Sequence, residues 1–257
     1  MQSTVSLKNQ YFRVILGFMI KNLLFAGKDF PAGEKFFSAA ANVEITALIT
    51  KNSNDDETSD NPHILLWNRG SVVSARSLVI QAENLVTSID AACLIFDGPY
   101  FSSQYNDSNT NSTLEAANDL IVSYQLLSRA LIDRFLQKKH GRLIFLLKPA
   151  LTTADAYKKK SDPSAYSQNA GAIVSAAQSA FETFAENFAC MYAESAPEKT
   201  ILIKAGSEED EDIAAFVLKK LSSEDEKSLL KKNTKDQVKW LSVSGKEEGA
   251  LSFFKRL

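Results

Sequence analysis

The side chains that chemistry usually recruits are sparse in this 257-residue chain. Its two histidines, His63 and His140, have no cysteine or carboxylate at metal-ligand spacing around them, so both are read as structural. Cys93 and Cys190 fall in apolar surroundings and are read as buried free thiols, as suits a reducing compartment. No Gly-x-Ser-x-Gly elbow raises a serine nucleophile, and no P-loop cradles a phosphate. The acidic stretch 54–60 and the Lys231-Lys232 pair read as solvated surface. Nothing local declares a reaction.

The elements that would carry a site are far clearer. Leu143 to Leu147 is an unbroken apolar run, the pattern of a strand covered on both faces. After a loop, Ile173, Val174, Ala177, Ala180, Phe181, Phe184 and Phe188 recur at spacings that lay one stripe along a long helix, about Ser164 to Tyr192. A second long helix is expected over Leu114 to Lys138, with Leu120, Tyr124, Leu127, Leu131 and Phe135 on its buried stripe. Earlier strands are expected at Lys21 to Ala26, Val43 to Ile49, His63 to Trp67 and Ala91 to Phe96, and a helix at Val72 to Val86 capped by Ser71. The polar segment Ser102 to Thr113 reads as a surface loop. A strand at Thr200 to Ile203, a helix at Glu208 to Leu221 and a strand near Val238 to Val243 close the pattern. Strands alternating with helices imply an α/β fold: a doubly wound parallel sheet with helices on both faces.

At 45% hydrophobic, the chain can bury one large core. We read an N-terminal extension, 1–20, and one domain, 21–257. Lys and Arg number 29 against 31 Asp and Glu, with no basic stripe, which argues against a nucleic-acid partner. The apolar segment Tyr11 to Ile20 carries Arg13 and is too short to span a bilayer, so no membrane partner and a cytoplasmic location are expected.

In this order the elements resemble the short-chain dehydrogenase/reductase family, a single-domain Rossmann fold, over residues 21–245. The block SYQLLSRALIDRFLQKKHGRLIFLL is similar to that family's long helix, turn and fifth strand, SIDAACLIF to its fourth strand, and EEDEDIAAFVLKKLSS to the helix before its last strand. The resemblance implies a glycine-rich phosphate turn at Ala26, Gly27, Lys28, Asp29, Phe30, Pro31, Ala32 and Gly33. Pro31 stands at the middle glycine and offers no N–H, and Asp29 puts a negative charge beside the expected phosphates. The adenine-contacting aspartate falls on Asn68, and the NNAG turn on Ile95, Phe96, Asp97 and Gly98. The implied cofactor sites are therefore Gly27, Gly33 and Asn68.

The resemblance further implies a tyrosine acid-base at Tyr166, but the lysine four residues on is Ala170, the serine is Lys148 and the asparagine is about Leu120. A phenol titrates near pH 10 and needs a nearby cation to act near neutrality, so Tyr166 with Lys148 is the one catalytic pair the comparison offers. The run Tyr157-Lys158-Lys159-Lys160 has no lysine four residues after its tyrosine and reads as a solvated loop. Almost no sequence separates Ala205-Gly206 from the acidic helix, where the family carries a mobile lid. The expectation is a degenerate member that holds no cofactor, or NAD(P) only weakly, and serves as a binding or assembly subunit. It would pair through its long helices as a homo-oligomer, or with an active relative. The alternatives are an NAD(P)-dependent oxidoreductase with Tyr166 and Lys148 in altered roles, and a small-ligand sensor using the vacant crevice at the strand ends, for which no residue picks out the ligand.

Overall fold

The computed structural model describes residues 20–52, 60–105, 110–158, 171–192, 200–222 and 239–244. Among these, seven parallel strands form one sheet: β1 (Asn22–Ala26), β2 (Thr46–Asn52), β3 (Ile64–Trp67), β4 (Ala91–Asp97), β5 (Arg142–Lys148), β6 (Thr200–Lys204) and β7 (Leu241–Ser242), in the order β3-β2-β1-β4-β5-β6-β7. Every residue of β4 is buried, and so is the centre of β5, which explains their uninterrupted apolar runs. The order reverses between β1 and β4. That is the switch point where open α/β sheets build their ligand crevice, beyond the carboxyl ends of the strands.

Helices cover both faces. On one lie α2 (Val72–Val86), α4 (Thr110–Ala117), α5 (Ser123–Lys138) and α7 (Ala172–Tyr192), packed through Leu78, Leu127, Leu131, Phe135 and Phe181. On the other lie α1 (Glu34–Ala41) and α8 (Asp210–Ser222), packed through Phe36, Ala40, Ile213 and Val217. Ser71 caps α2 as expected, its hydroxyl accepting the Ser74 N–H at 3.2 Å. Acidic residues open α8 and Lys219 and Lys220 close it, both favourable to its dipole.

Several boundaries differ from the sequence expectation, each for a local reason. The Ser102–Thr113 segment is not a simple loop: α3 (Gly98–Gln104) and α4 occupy much of it. The Asp97 carboxylate caps α3 by accepting the Tyr100 N–H at 3.0 Å, and Pro99 sits in its first turn, so a capped start outweighs polar composition. The strand expected from Val43 begins at Thr46, because Val43 and Ile45 donate their N–H groups back to Ala40 and Glu44 takes a positive φ of 61°. The long helix expected over Leu114 to Lys138 contains a π-helical segment, Asn118–Val122, between α4 and α5. A short helix, α6 (Thr153–Lys158), was not foreseen. The start of the last long helix near Ser164 lies outside the described residues, as do residues 1–19. Cys190 is exposed, unlike Cys93, because it falls on the outer face of α7.

Candidate functional site

The crevice at the switch point is built from five strand ends and the start of one helix. Gly27 and Lys28 follow β1, Thr50 belongs to β2, Arg69 follows β3, Asp97 ends β4 and Lys148 ends β5. Asp210 opens α8.

Two ion networks occupy this space. In the first, the Lys28 ammonium donates to Asp97 Oδ2 and to Asp210 Oδ2, each at 2.5 Å, and Lys148 Nζ donates to Asp210 Oδ1 at 3.0 Å. Burial acts to lower the Lys28 pKa, but the Asp97 charge and the bonds to Asp210 outweigh it and hold the pKa above the usual lysine value. Burial likewise acts to raise Asp210, and the bonds from Lys28 and Lys148 outweigh it, leaving that carboxyl below the usual range. In the second network, Arg69 Nη2 donates to Asp29 Oδ2 and to the Gly27 carbonyl, both at 2.6 Å, and the Thr50 hydroxyl donates to Asp29 Oδ1 at 2.6 Å. Arg69 is 3% exposed, its guanidinium carbon 5.2 Å from the Trp67 ring centre and 5.5 Å from that of Phe101. Burial opposes its charge, but the Asp29 carboxylate prevails and its pKa is raised.

The glycine turn faces its own chain. Gly27 has a φ of +112°, and a Cβ there would collide with the Ile95 carbonyl and the Tyr124 hydroxyl, which is itself bonded to that carbonyl at 2.6 Å. A Cβ on Gly33 would collide with the Lys28 carbonyl and the Ile49 side chain. These glycines allow close packing of protein on protein. Four donors in and just after the turn are also spent internally: Gly27 N–H on Thr50 Oγ1, Phe30 N–H on the Thr50 carbonyl, Gly33 N–H on the Asp29 carbonyl and Glu34 N–H on the Pro31 carbonyl. Pro31 supplies none. A dinucleotide pyrophosphate needs free N–H groups at this helix start and an excess of positive charge. Here three cations, Lys28, Lys148 and Arg69, meet three carboxylates, Asp29, Asp97 and Asp210. The residues present do not fit a nicotinamide dinucleotide held by its phosphates in this turn.

The structure brings Gly27, Gly33 and Lys148 around the crevice, but Asn68 points elsewhere. Its side-chain oxygen accepts the Gly70 N–H at 3.1 Å on the exposed turn before α2. The next residue, Arg69, turns inward instead. Tyr166 and Ala170 lie outside the described residues, and the Lys148 ammonium is bonded to Asp210. Leu120 is buried in the π-helical segment, and its neighbour Asp119 accepts from the Tyr105 hydroxyl at 2.7 Å. Burial raises the Asp119 pKa, although the Tyr105 bond and the Arg69 charge oppose that shift. Tyr157 is exposed. His63 Nδ1 lies 3.1 Å from the Ala47 carbonyl, and His140 Nε2 lies 3.8 Å from the Asp90 carboxylate, both remote from these strand ends.

Sequence reasoning missed Arg69, Asp97 and Asp210 as crevice residues. One signal was available: Asp29, an acid inside a turn that should receive phosphate, required a buried cation. Nothing in the local sequence said which.

No family model matches the chain. Over 162 residues it is 28% identical to an uncharacterized protein of Treponema pallidum (strain Nichols), a match that covers 62% of this chain and 66% of that one, just under two thirds of the relative's length. Among solved structures it is similar to a short chain dehydrogenase from Leptospira borgpetersenii with bound NAD⁺, at TM-score 0.59 and 14% identity, covering 88% of this chain and 92% of that one. A putative 3-oxoacyl-reductase from Bacillus thuringiensis gives TM-score 0.59 at 13% identity, covering 90% and 99%. Enoyl-[acyl-carrier-protein] reductase (NADH) from Aquifex aeolicus gives 0.57 at 14%, covering 87% and 94%. With the strand order, the helices on both faces of the sheet and these likenesses together, the chain has the Rossmann-like fold of the short-chain dehydrogenases and reductases.

Proposed function

We propose that this chain is a non-catalytic member of that fold, a binding or assembly subunit that does not transfer hydride. The observation that carries the reading is the filled crevice: Arg69, Asp29, Lys28 and Asp210 are paired with one another where the phosphates and ribose of a dinucleotide would lie. Two features add support. Four N–H groups in and just after the turn are bonded within the protein, to Thr50, Asp29 and Pro31, and the short interval before α8 delivers a carboxylate into the crevice in place of a lid. The rival reading, an oxidoreductase using Tyr166 and Lys148, requires Lys148 to leave Asp210.

The test is a thermal-shift titration of the wild-type protein with NAD⁺, NADH, NADP⁺ and NADPH up to millimolar concentration. A ligand at about 100 times its dissociation constant stabilises a fold by about 2.7 kcal/mol, a readily visible shift. We expect none from any of the four. A saturable shift with one of them would overturn the reading and turn attention to Tyr166→Phe and Lys148→Ala.

A further inference from the structure

Asp210 is held as a ligand would be held. Each oxygen of its carboxylate is taken by a different ammonium group, Oδ2 by Lys28 and Oδ1 by Lys148. Both lysines stand at the ends of neighbouring parts of the sheet, one just past β1 and one closing β5, and between them the Asp97 carboxylate at the end of β4 holds Lys28 in position. The lysines therefore belong to the rigid frame. Asp210 does not. It is the first residue of α8, reached through a segment in which Gly206, Ser207 and Glu209 are exposed, whereas the packed part of α8 begins at Ile213.

We propose that Lys28 and Lys148 form a binding site for a small oxyanion, a carboxylate or a phosphate, and that Asp210 is its built-in competitor. The charges make the case. With the Asp210 carboxylate withdrawn, two ammonium groups face one carboxylate, Asp97, in a largely buried crevice, and a buried excess positive charge demands an anion. An entering oxyanion reproduces both bonds that Asp210 makes, at the switch point where this architecture places its ligands. Withdrawal needs rotation of one side chain, because α8 is anchored to the sheet by Ile213, Ala214 and Val217 and not by Asp210. On the solvent side stands the exposed Lys35, paired with Glu211 at 2.5 Å; that bond chiefly raises its pKa, with a smaller contribution from the Asp210 carboxylate. This deepens the reading of a binding subunit by naming a ligand class, and it uses no nucleotide. A nicotinamide shift in the wild type would sink that reading while leaving the anion site separately testable.

The experiment is isothermal titration of wild type, Asp210→Ala and Asp210→Ala/Lys148→Ala with inorganic phosphate and with acetate, at constant ionic strength. The expected result is saturable binding of at least one anion to Asp210→Ala, with a dissociation constant at least tenfold below that of the wild type, lost when Lys148 is also removed. Which anion answers identifies the source of the oxyanion. No saturable binding to Asp210→Ala, or binding that persists unchanged without Lys148, would overturn the proposal. Should Asp210→Ala fail to fold, the isosteric Asp210→Asn, which keeps the shape but loses the charge, is read against the same outcomes.

Discussion

Arg69 and Asp29 are 40 residues apart in the chain and meet at 2.6 Å in a place from which solvent is nearly excluded. A buried ion pair adds little net stability compared with apolar side chains of the same shape, but removing one partner leaves the other charge buried. Arg69→Ala should therefore cost about 3–5 kcal/mol in urea unfolding. A loss below about 1 kcal/mol, the value of an exposed pair, would mean that Asp29 reaches solvent. Asp119 should behave in the opposite sense. Its folded pKa lies above the unfolded value of about 3.9, so the folded state binds the extra proton and stability falls as pH rises through that window. Asp119→Asn, which is neutral at every pH, should be more stable than wild type at pH 7, and the gap should close below about pH 4. An equal gap at both pH values would refute this account. Asp210 runs the other way: its pKa is lowered, so its contribution is present above the unfolded value and disappears as pH falls through the folded one.

At the scale of elements, β5 and α7 meet through aromatic rings. Phe181 on α7 lies 5.8 Å from Phe145 on β5, 4.9 Å from Tyr124 on α5 and 5.3 Å from Phe96 on β4. It ties three elements to the strand ends beneath the crevice. Phe181→Ala should cost about 3–5 kcal/mol, measured as a shift in the denaturation midpoint, because the rings around it cannot all close on the cavity. A cost under about 1 kcal/mol would show that the cluster repacks freely. This contact was legible in outline: the periodicity that marks α7 puts Val174, Ala177, Phe181 and Phe188 on its buried side. The π-helical segment was not. Its bond from the Ser123 N–H to the Asn118 carbonyl inserts one residue into the turn and buries Asp119 beside Leu120, which the stripe had placed inside; that change of phase no apolar period signals.

The whole molecule raises the question of assembly. Among the described residues, the outward positions of α5 carry Gln125, Arg129, Asp133 and Gln137, and those of α7 carry Ala172, Ala176, Ser179, Thr183 and Asn187. The small residues on α7 leave room for a partner helix to approach closely. The proposal of an assembly subunit that pairs through its long helices predicts a dimer or larger species in light scattering at micromolar concentration. A monomer throughout that range would remove self-association and leave a heteromeric partner as the object of search.

The sequence by itself determined the α/β architecture, because each signal for it is local. An apolar run long enough for a doubly covered strand, a stripe at helical spacing and a serine before a helix start all act within one element. Tertiary structure alone decided what the crevice contains. Lys28 and Asp210 lie 182 residues apart, and Lys28 and Asp97 lie 69 apart. Their pairing depends on which strand ends become neighbours and on how short a connection swings α8 inward. A charged residue at the end of a strand carries no local mark of its partner, since the energy that selects it appears only after the sheet has assembled and water has left.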